Sequence, residues 1–239
     1  MQVLLEICAG SYESAISAQE GGADRIELCS ALNMGGLTPS LGLIKEVRKE
    51  LSIPIHILIR PREGNFNYNK AEKEIILEDI RVAIDNGMDG IVFGCLDKKD
   101  QLDELFLERV KYISGKSSFT FHRAFDLIEN KYDAIDRLTQ LEIDTILSSG
   151  VEQSAYEGRN NLAEWIKYAQ NKIEIMPGAG INIQNIETII NTCKPHYVHS
   201  SARVPQSNIM KKLFEDDNPS DALFVKQMKE ILTNISKRY

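Results

Sequence analysis

Short apolar runs and longer mixed runs take turns along the whole 239-residue chain. The short runs are rich in Ile, Val, Leu and Phe and read as strands. They cover Val3 to Cys8, Arg25 to Cys29, Ile55 to Arg60, Gly90 to Gly94, Ser118 to His122, Thr145 to Ser149, Ile173 to Met176 and Tyr197 to Ser200. A helical pattern follows each, near Tyr12 to Glu20, Leu41 to Leu51, Ala71 to Asn86, Leu102 to Ser114, Lys131 to Leu141, Ala155 to Gln170, Ile183 to Thr192 and Asp221 to Ile235. Strict strand–helix alternation predicts a parallel sheet, either open and doubly wound or closed into a barrel.

A weak internal repeat favours the barrel. Gly22-Ala-Asp24-Arg-Ile26, Gly87-Met-Asp89-Gly-Ile91 and, without the glycine, Glu142-Ile-Asp144-Thr-Ile146 introduce the second, fourth and sixth strands. A doubly wound sheet would open with a Gly-rich turn, and Cys8-Ala-Gly-Ser11 is not GxGxxG. The reading is therefore a (β/α)8 TIM barrel forming one domain over residues 1–239. The connections from helix to strand are tight. Three from strand to helix are long, after the second, third and eighth strands, so the working face is the carboxyl end of the strands. The last of these, 201–220, contains Pro205 and the turn-like Asp216-Asp-Asn-Pro219 and suits a lid or an interface loop.

Parity decides what fills the interior. Val3, Leu5 and Ile7, Ile26 and Leu28, and Ile55, Ile57 and Ile59 share one register, which suits packing against outer helices. The opposite register faces inward and carries Glu6, Cys8, Arg25, Glu27, Cys29, His56, Arg60, Thr120, His122, Thr145, Ser149, Glu174, Tyr197 and His199. Buried charges are costly unless paired, so these must form a connected network. Arg60→Met is expected to strand a buried carboxylate, while His56 reads as a satisfied core residue.

Charge and composition narrow the function. A net charge of −7 without a Lys/Arg cluster argues against nucleic acid. No basic leader and no apolar run near 18 residues is present, so neither export nor a membrane is expected. Four scattered cysteines without a CxxC pair suit reduced thiols in the cytoplasm.

Two chemistries compete for the mouth. In Thr120-Phe-His-Arg-Ala-Phe-Asp126 a strand ends in a histidine, an arginine and a carboxylate. An enzyme acting on a small phosphorylated or carboxylated compound would use Glu6 or Glu27 as base and His122 as acid or electrophile, with Arg60, Arg123 and Asp126 beside them. Its anion pocket would draw on Arg62, Ser149, Gly178, Gly180, His199 and Ser200, since barrels often bind phosphate after strands seven and eight. Alternatively, Cys8 and Cys29 end adjacent strands about 4.7 to 4.9 Å apart and could straddle one soft metal ion. As free cysteines they could equally be small buried hydrophobes.

The chain resembles the CutC family, named for copper homeostasis. The resemblance lies in Glu6-Ile-Cys8, Gly21-Gly-Ala-Asp-Arg-Ile-Glu-Leu-Cys29, Gly35-Gly-Leu-Thr-Pro-Ser40, Ile59-Arg-Pro-Arg62, Thr120 to Asp126, Ser148-Ser-Gly150 and His199-Ser200. It implies a barrel, a cytoplasmic location, self-association as a dimer or tetramer, and a Cu(I) site on the cysteines of the first two strands.

Overall fold

Among the described residues, six of the eight α-helices begin where a side chain can accept an otherwise unpaired first-turn N–H: Ser11, Ser40, Asn69, Asp103, Asn130 and Asp221. Asn69 and Glu72 form a reciprocal capping box. In the computed structural model, which describes residues 2–203 and 219–237, the elements run in strict alternation. They are β1 (Leu4–Ala9), α1 (Tyr12–Glu20), β2 (Arg25–Leu28), α2 (Leu41–Glu50), β3 (Ile55–Leu58), α3 (Lys70–Asp85), β4 (Gly90–Phe93), α4 (Glu104–Ser114), β5 (Ser118–Phe121), α5 (Lys131–Gln140), β6 (Thr145–Ser148), α6 (Arg159–Ala169), β7 (Glu174–Pro177), α7 (Ile186–Cys193), β8 (Tyr197–Ser200) and α8 (Ala222–Ser236). The barrel reading holds, with parallel pairing running from β7 round through β1 to β8.

The Asp repeat has a mechanical role. Asp24 accepts the backbone N–H of Leu5, Asp89 that of Ile55 and Asp144 that of Phe119, at 2.6, 2.8 and 2.8 Å. Each aspartate thus clamps the start of an odd strand to the start of the even strand that follows it. In return, its own N–H donates to the carbonyl of the same odd-strand residue.

Between β7 and β8 no backbone ladder forms among the described residues. Side chains hold this seam instead. Glu174 accepts from the N–H groups of His196 and Tyr197 at its base, at 3.0 and 3.4 Å, and Ser200 Oγ donates to Ile181 O at its top, at 2.7 Å. The strands close up at Gly178, where a Cβ would lie 2.5 Å from Leu147 and 3.3 Å from His199.

The outward register packs as expected. Leu5, Ile7, Ile26, Leu28, Ile55, Ile57 and Ile59 are fully buried in one cluster with the helices. A second, small apolar cluster of Cys8, Cys29, Leu58 and Val92 lies apart from it. The third, fifth and sixth strands pair over fewer residues than expected, leaving Arg60, His122 and Ser149 just past the last paired positions. Helix α6 starts at Arg159 rather than Ala155, after a turn in which the Ala155 N–H donates to Ala179 O on the neighbouring loop. Most of the 201–220 segment, with Pro205 and Asp216 to Asn218, lies outside the described residues. At its ends, Arg203 bridges Ser220.

Replacing Asp144 by Ala leaves the Phe119 N–H without its acceptor and should lower unfolding free energy by about 1 to 2 kcal/mol. Urea denaturation measures this, and Asp144→Asn, which keeps an acceptor oxygen, should cost less.

Candidate functional site

Three neighbouring strands carry most of the interior charge. Glu6 on β1 is fully buried and lies between Arg25 of β2 and His199 of β8, with Nε of Arg25 at 2.5 Å and Nδ1 of His199 at 2.7 Å. The arrangement follows from register, since Glu6 stands directly opposite both Arg25 and His199. Burial opposes ionisation of Glu6, but Arg25 and His199 outweigh it and hold the carboxyl far below its usual range. His199 is the mirror case: burial disfavours its charge, yet the hydrogen bond to Glu6 and the nearby Glu27 carboxylate raise its pKa. The Arg25 guanidinium also lies 4.0 Å over the Tyr197 ring.

Above this layer sit the thiols. Cys8 Sγ is 3.7 Å from Cys29 Sγ and 3.4 Å from Glu27 Oε1. No disulfide joins them, and all four cysteines are free. The hydrogen bond to Cys29, burial and the Glu27 carboxylate together push the Cys8 thiol well above its ordinary value. Burial raises Glu27 as well, and its Oε2 has no hydrogen-bond partner. Ligand atoms of Cys8, Glu27 and His199 all lie within 4.8 Å of one another, a grouping that could hold a metal ion.

A cavity of about 360 Å³ opens above the thiols, and Arg60, His122, Arg123 and Asp126 line its far wall. The expected carboxylate partner of Arg60 is absent: its Nη atoms donate to the carbonyls of Met34, Gly36 and Gly64. Glu6 is held by Arg25 instead, so Arg60→Met strands no carboxylate. His122 caps the 3-10 turn Arg123–Leu127, its Nδ1 accepting from the Ala124 N–H at 3.2 Å. Burial, aided by the Arg60 charge, lowers its pKa to about 3. Gly94 makes room for the ring, because a Cβ there would lie 2.5 Å from Nδ1.

Asp126 is anchored from several sides. It accepts from Ser148 Oγ at 2.5 Å and Arg123 Nε at 2.9 Å, and Ser149 Oγ lies between it and Arg123. Ser149 therefore positions the turn and does not line the cavity.

The remaining expected anion ligands do not meet there either. Arg62 pairs with Glu72 and with loop carbonyls outside the mouth. The Gly178 N–H donates to Ser148 O, Gly180 lies in the turn beyond it, and Ser200 Oγ is committed to Ile181 O and the Ala202 N–H. His56 is buried with Nδ1 unpartnered, not satisfied, and its pKa falls to about 4 through burial and Arg25.

Sequence reasoning missed the apolar rim of Leu32, Met34, Phe66 and Leu127. Leu32 and Met34 lie in one short 3-10 turn, Leu127 ends another and Phe66 lies in a loop, segments too short for periodicity to mark a facing direction. The inward Leu58, Val92, Leu147 and Met176 were legible from parity but were overshadowed by the charges.

The CutC family model matches residues 3–204. Over 200 residues the chain is 42% identical to a CutC family protein of Treponema denticola, covering 84% of this chain and 81% of that one. Over 208 residues it is 40% identical to the human copper homeostasis protein cutC homolog, covering 87% and 76%. The crystal structure of CutC from Streptococcus agalactiae superposes with a TM-score of 0.80 at 32% identity, covering 83% of this chain and 98% of that one.

Arg25→Met should destabilise the fold by about 3 to 5 kcal/mol by leaving Glu6 buried with half its partners. Adding Glu6→Met should recover much of the loss, and urea denaturation of the single and double variants measures both. A pH series gives a second check. His122 and His56 stay neutral in the fold down to about 3 and about 4, whereas unfolded imidazoles protonate below about 6.5. Acidification from 6.5 toward 4 therefore favours the unfolded chain by up to about 1.4 kcal/mol per pH unit for each histidine. His122→Phe should flatten that decline.

Proposed function

This chain belongs to the CutC family, and from that premise we propose that it is a cytoplasmic copper-homeostasis protein that holds Cu(I) in the mouth of its barrel. The observation that carries the reading is the Cys8–Cys29 sulfur separation of 3.7 Å, with ligand atoms of Glu27 and His199 within 4.8 Å of the Cys8 sulfur. Thiolates suit a soft ion. Two sulfurs 3.7 Å apart could both bind one such ion and leave room for a third ligand.

His199 is the best candidate for that ligand. Its Nδ1 is engaged by Glu6, which directs Nε2 away from the carboxylate and reproduces the carboxylate–histidine–metal relay of known metal sites. Glu27, whose Oε1 accepts from Cys8, is placed to receive the thiol proton that the metal displaces. The four free, buried thiols fit a reducing compartment, and no helix among the described residues is long and apolar enough to cross a membrane. Self-association is part of the same proposal. Leu105 and Tyr112, 78% and 87% exposed and seven residues apart on α4, offer apolar surface for a second copy to cover.

Titration of Cu(I) against a competing colorimetric chelator tests the site. Cys8→Ser with Cys29→Ser should abolish stoichiometric binding, and His199→Gln or Glu6→Gln should weaken it about tenfold or more. Affinity should rise with pH, by about tenfold per pH unit for each thiol proton released. Unchanged binding in the double cysteine variant ends the proposal.

A further inference from the structure

Three buried polar atoms on three different strands or strand ends have no hydrogen-bond partner: Glu27 Oε2, Arg60 Nε and His122 Nε2. All three residues line the same cavity. Leaving a buried polar group unpaired costs about 1 to 3 kcal/mol, so three around one hollow are poorly explained by folding alone. A Cu(I) ion on the thiols would use neither Arg60 nor His122, since a cation and an Nε2–H donor do not ligate a metal.

The donor set is specific. His122 Nδ1 accepts from the Ala124 N–H, so the proton of the neutral ring sits on Nε2. Arg60 is 7% exposed, and the groups it bonds are carbonyls, which leave its full positive charge without an anion. Arg123 adds a half-exposed guanidinium beside Asp126. Phe66 bridges the two buried donors, its ring 4.7 Å from the His122 ring and 5.3 Å from the Arg60 guanidinium carbon. It shields them from water, which strengthens any hydrogen bond they make.

We propose that this wall is a second ligand subsite, for a small organic oxyanion gripped by Arg60 and His122 under Phe66, with a hydroxyl of the ligand donating to Glu27. The shared chemistry is a carboxylate or a phosphate monoester on a short hydroxylated skeleton, and a cavity of about 360 Å³ limits it to a small metabolite. The subsite does not depend on the copper reading, because its donors come from β3 and β5 rather than from the thiols.

The test uses copper-free protein at low ionic strength, titrated separately with glycolate and with glycerol 3-phosphate. Binding is followed by calorimetry and by the NMR signal of the His122 imidazole. Saturable binding of at least one probe, with a shift of that signal, is expected. A response to glycolate alone assigns a carboxylate, to glycerol 3-phosphate alone a phosphate ester, and to both a general oxyanion grip. His122→Phe and Arg60→Met should each weaken binding about tenfold or more, while Cys193→Ser, outside the cavity, should leave it unchanged. Should Arg60→Met fail to fold, Phe66→Ala serves in its place and should also weaken binding. Absence of binding by both probes, or affinity unaltered in every wall variant, overturns the proposal.

Discussion

The interior depends on one carboxylate shared by an arginine and a histidine. Glu6 sits fully buried between Arg25 and His199, and none of the three could be accommodated at that depth alone. The hydrogen bonds run across the β1–β2 and β1–β8 pairs, so the charges also lock the register of three neighbouring strands. A slip of one residue would turn Glu6 toward the helices and leave Arg25 without an anion.

This anchorage makes the barrel lopsided. Charge gathers on β8, β1 and β2, while the inward positions Leu58, Val92, Leu147 and Met176 of β3, β4, β6 and β7 are apolar. The thiols stand at the border, with Cys8 and Cys29 packed against Leu58 and Val92 on one side and Glu27 on the other. At this border the apolar side keeps water from the sulfurs while the Glu27 carboxylate accepts from the Cys8 thiol. Across the mouth, Arg60 and His122 answer with donors that the charged half does not use.

Much of this was legible in the sequence. Period-two alternation in β1, β2 and β3 gave the correct facing of Glu6, Cys8, Arg25 and Glu27, because β-branched residues mark the helix-covered side without ambiguity. The Asp24, Asp89 and Asp144 repeat pointed to equivalent units before its clamping role could be seen. That legibility ends where the chain leaves regular structure. Arg60 and Arg62 lie past the end of β3, where parity stops predicting direction: one turned inward onto carbonyls and the other outward onto Glu72. The glycines after β7 suggested an anion cradle, but Gly178 serves the close approach of Leu147 and His199. Ser149 was assigned to a ligand, whereas its hydroxyl is consumed in holding Asp126 and Arg123. No sequence pattern records which acceptor a loop side chain will find first.

The β7–β8 seam adds one consequence. Cys8 and Cys29 belong to or adjoin strands bonded on both flanks, whereas, among the described residues, β8 has a backbone ladder only toward β1 and is tethered to β7 through Glu174 and Ser200. Side-chain tethers stretch more readily than a ladder, so the hoop is most compliant at its one unlaced joint. His199 rides on that joint. The barrel therefore carries Cys8 and Cys29 on strands laced on both sides and His199 on the strand beside its loosest joint, where Glu6 rather than a second ladder keeps the imidazole in place.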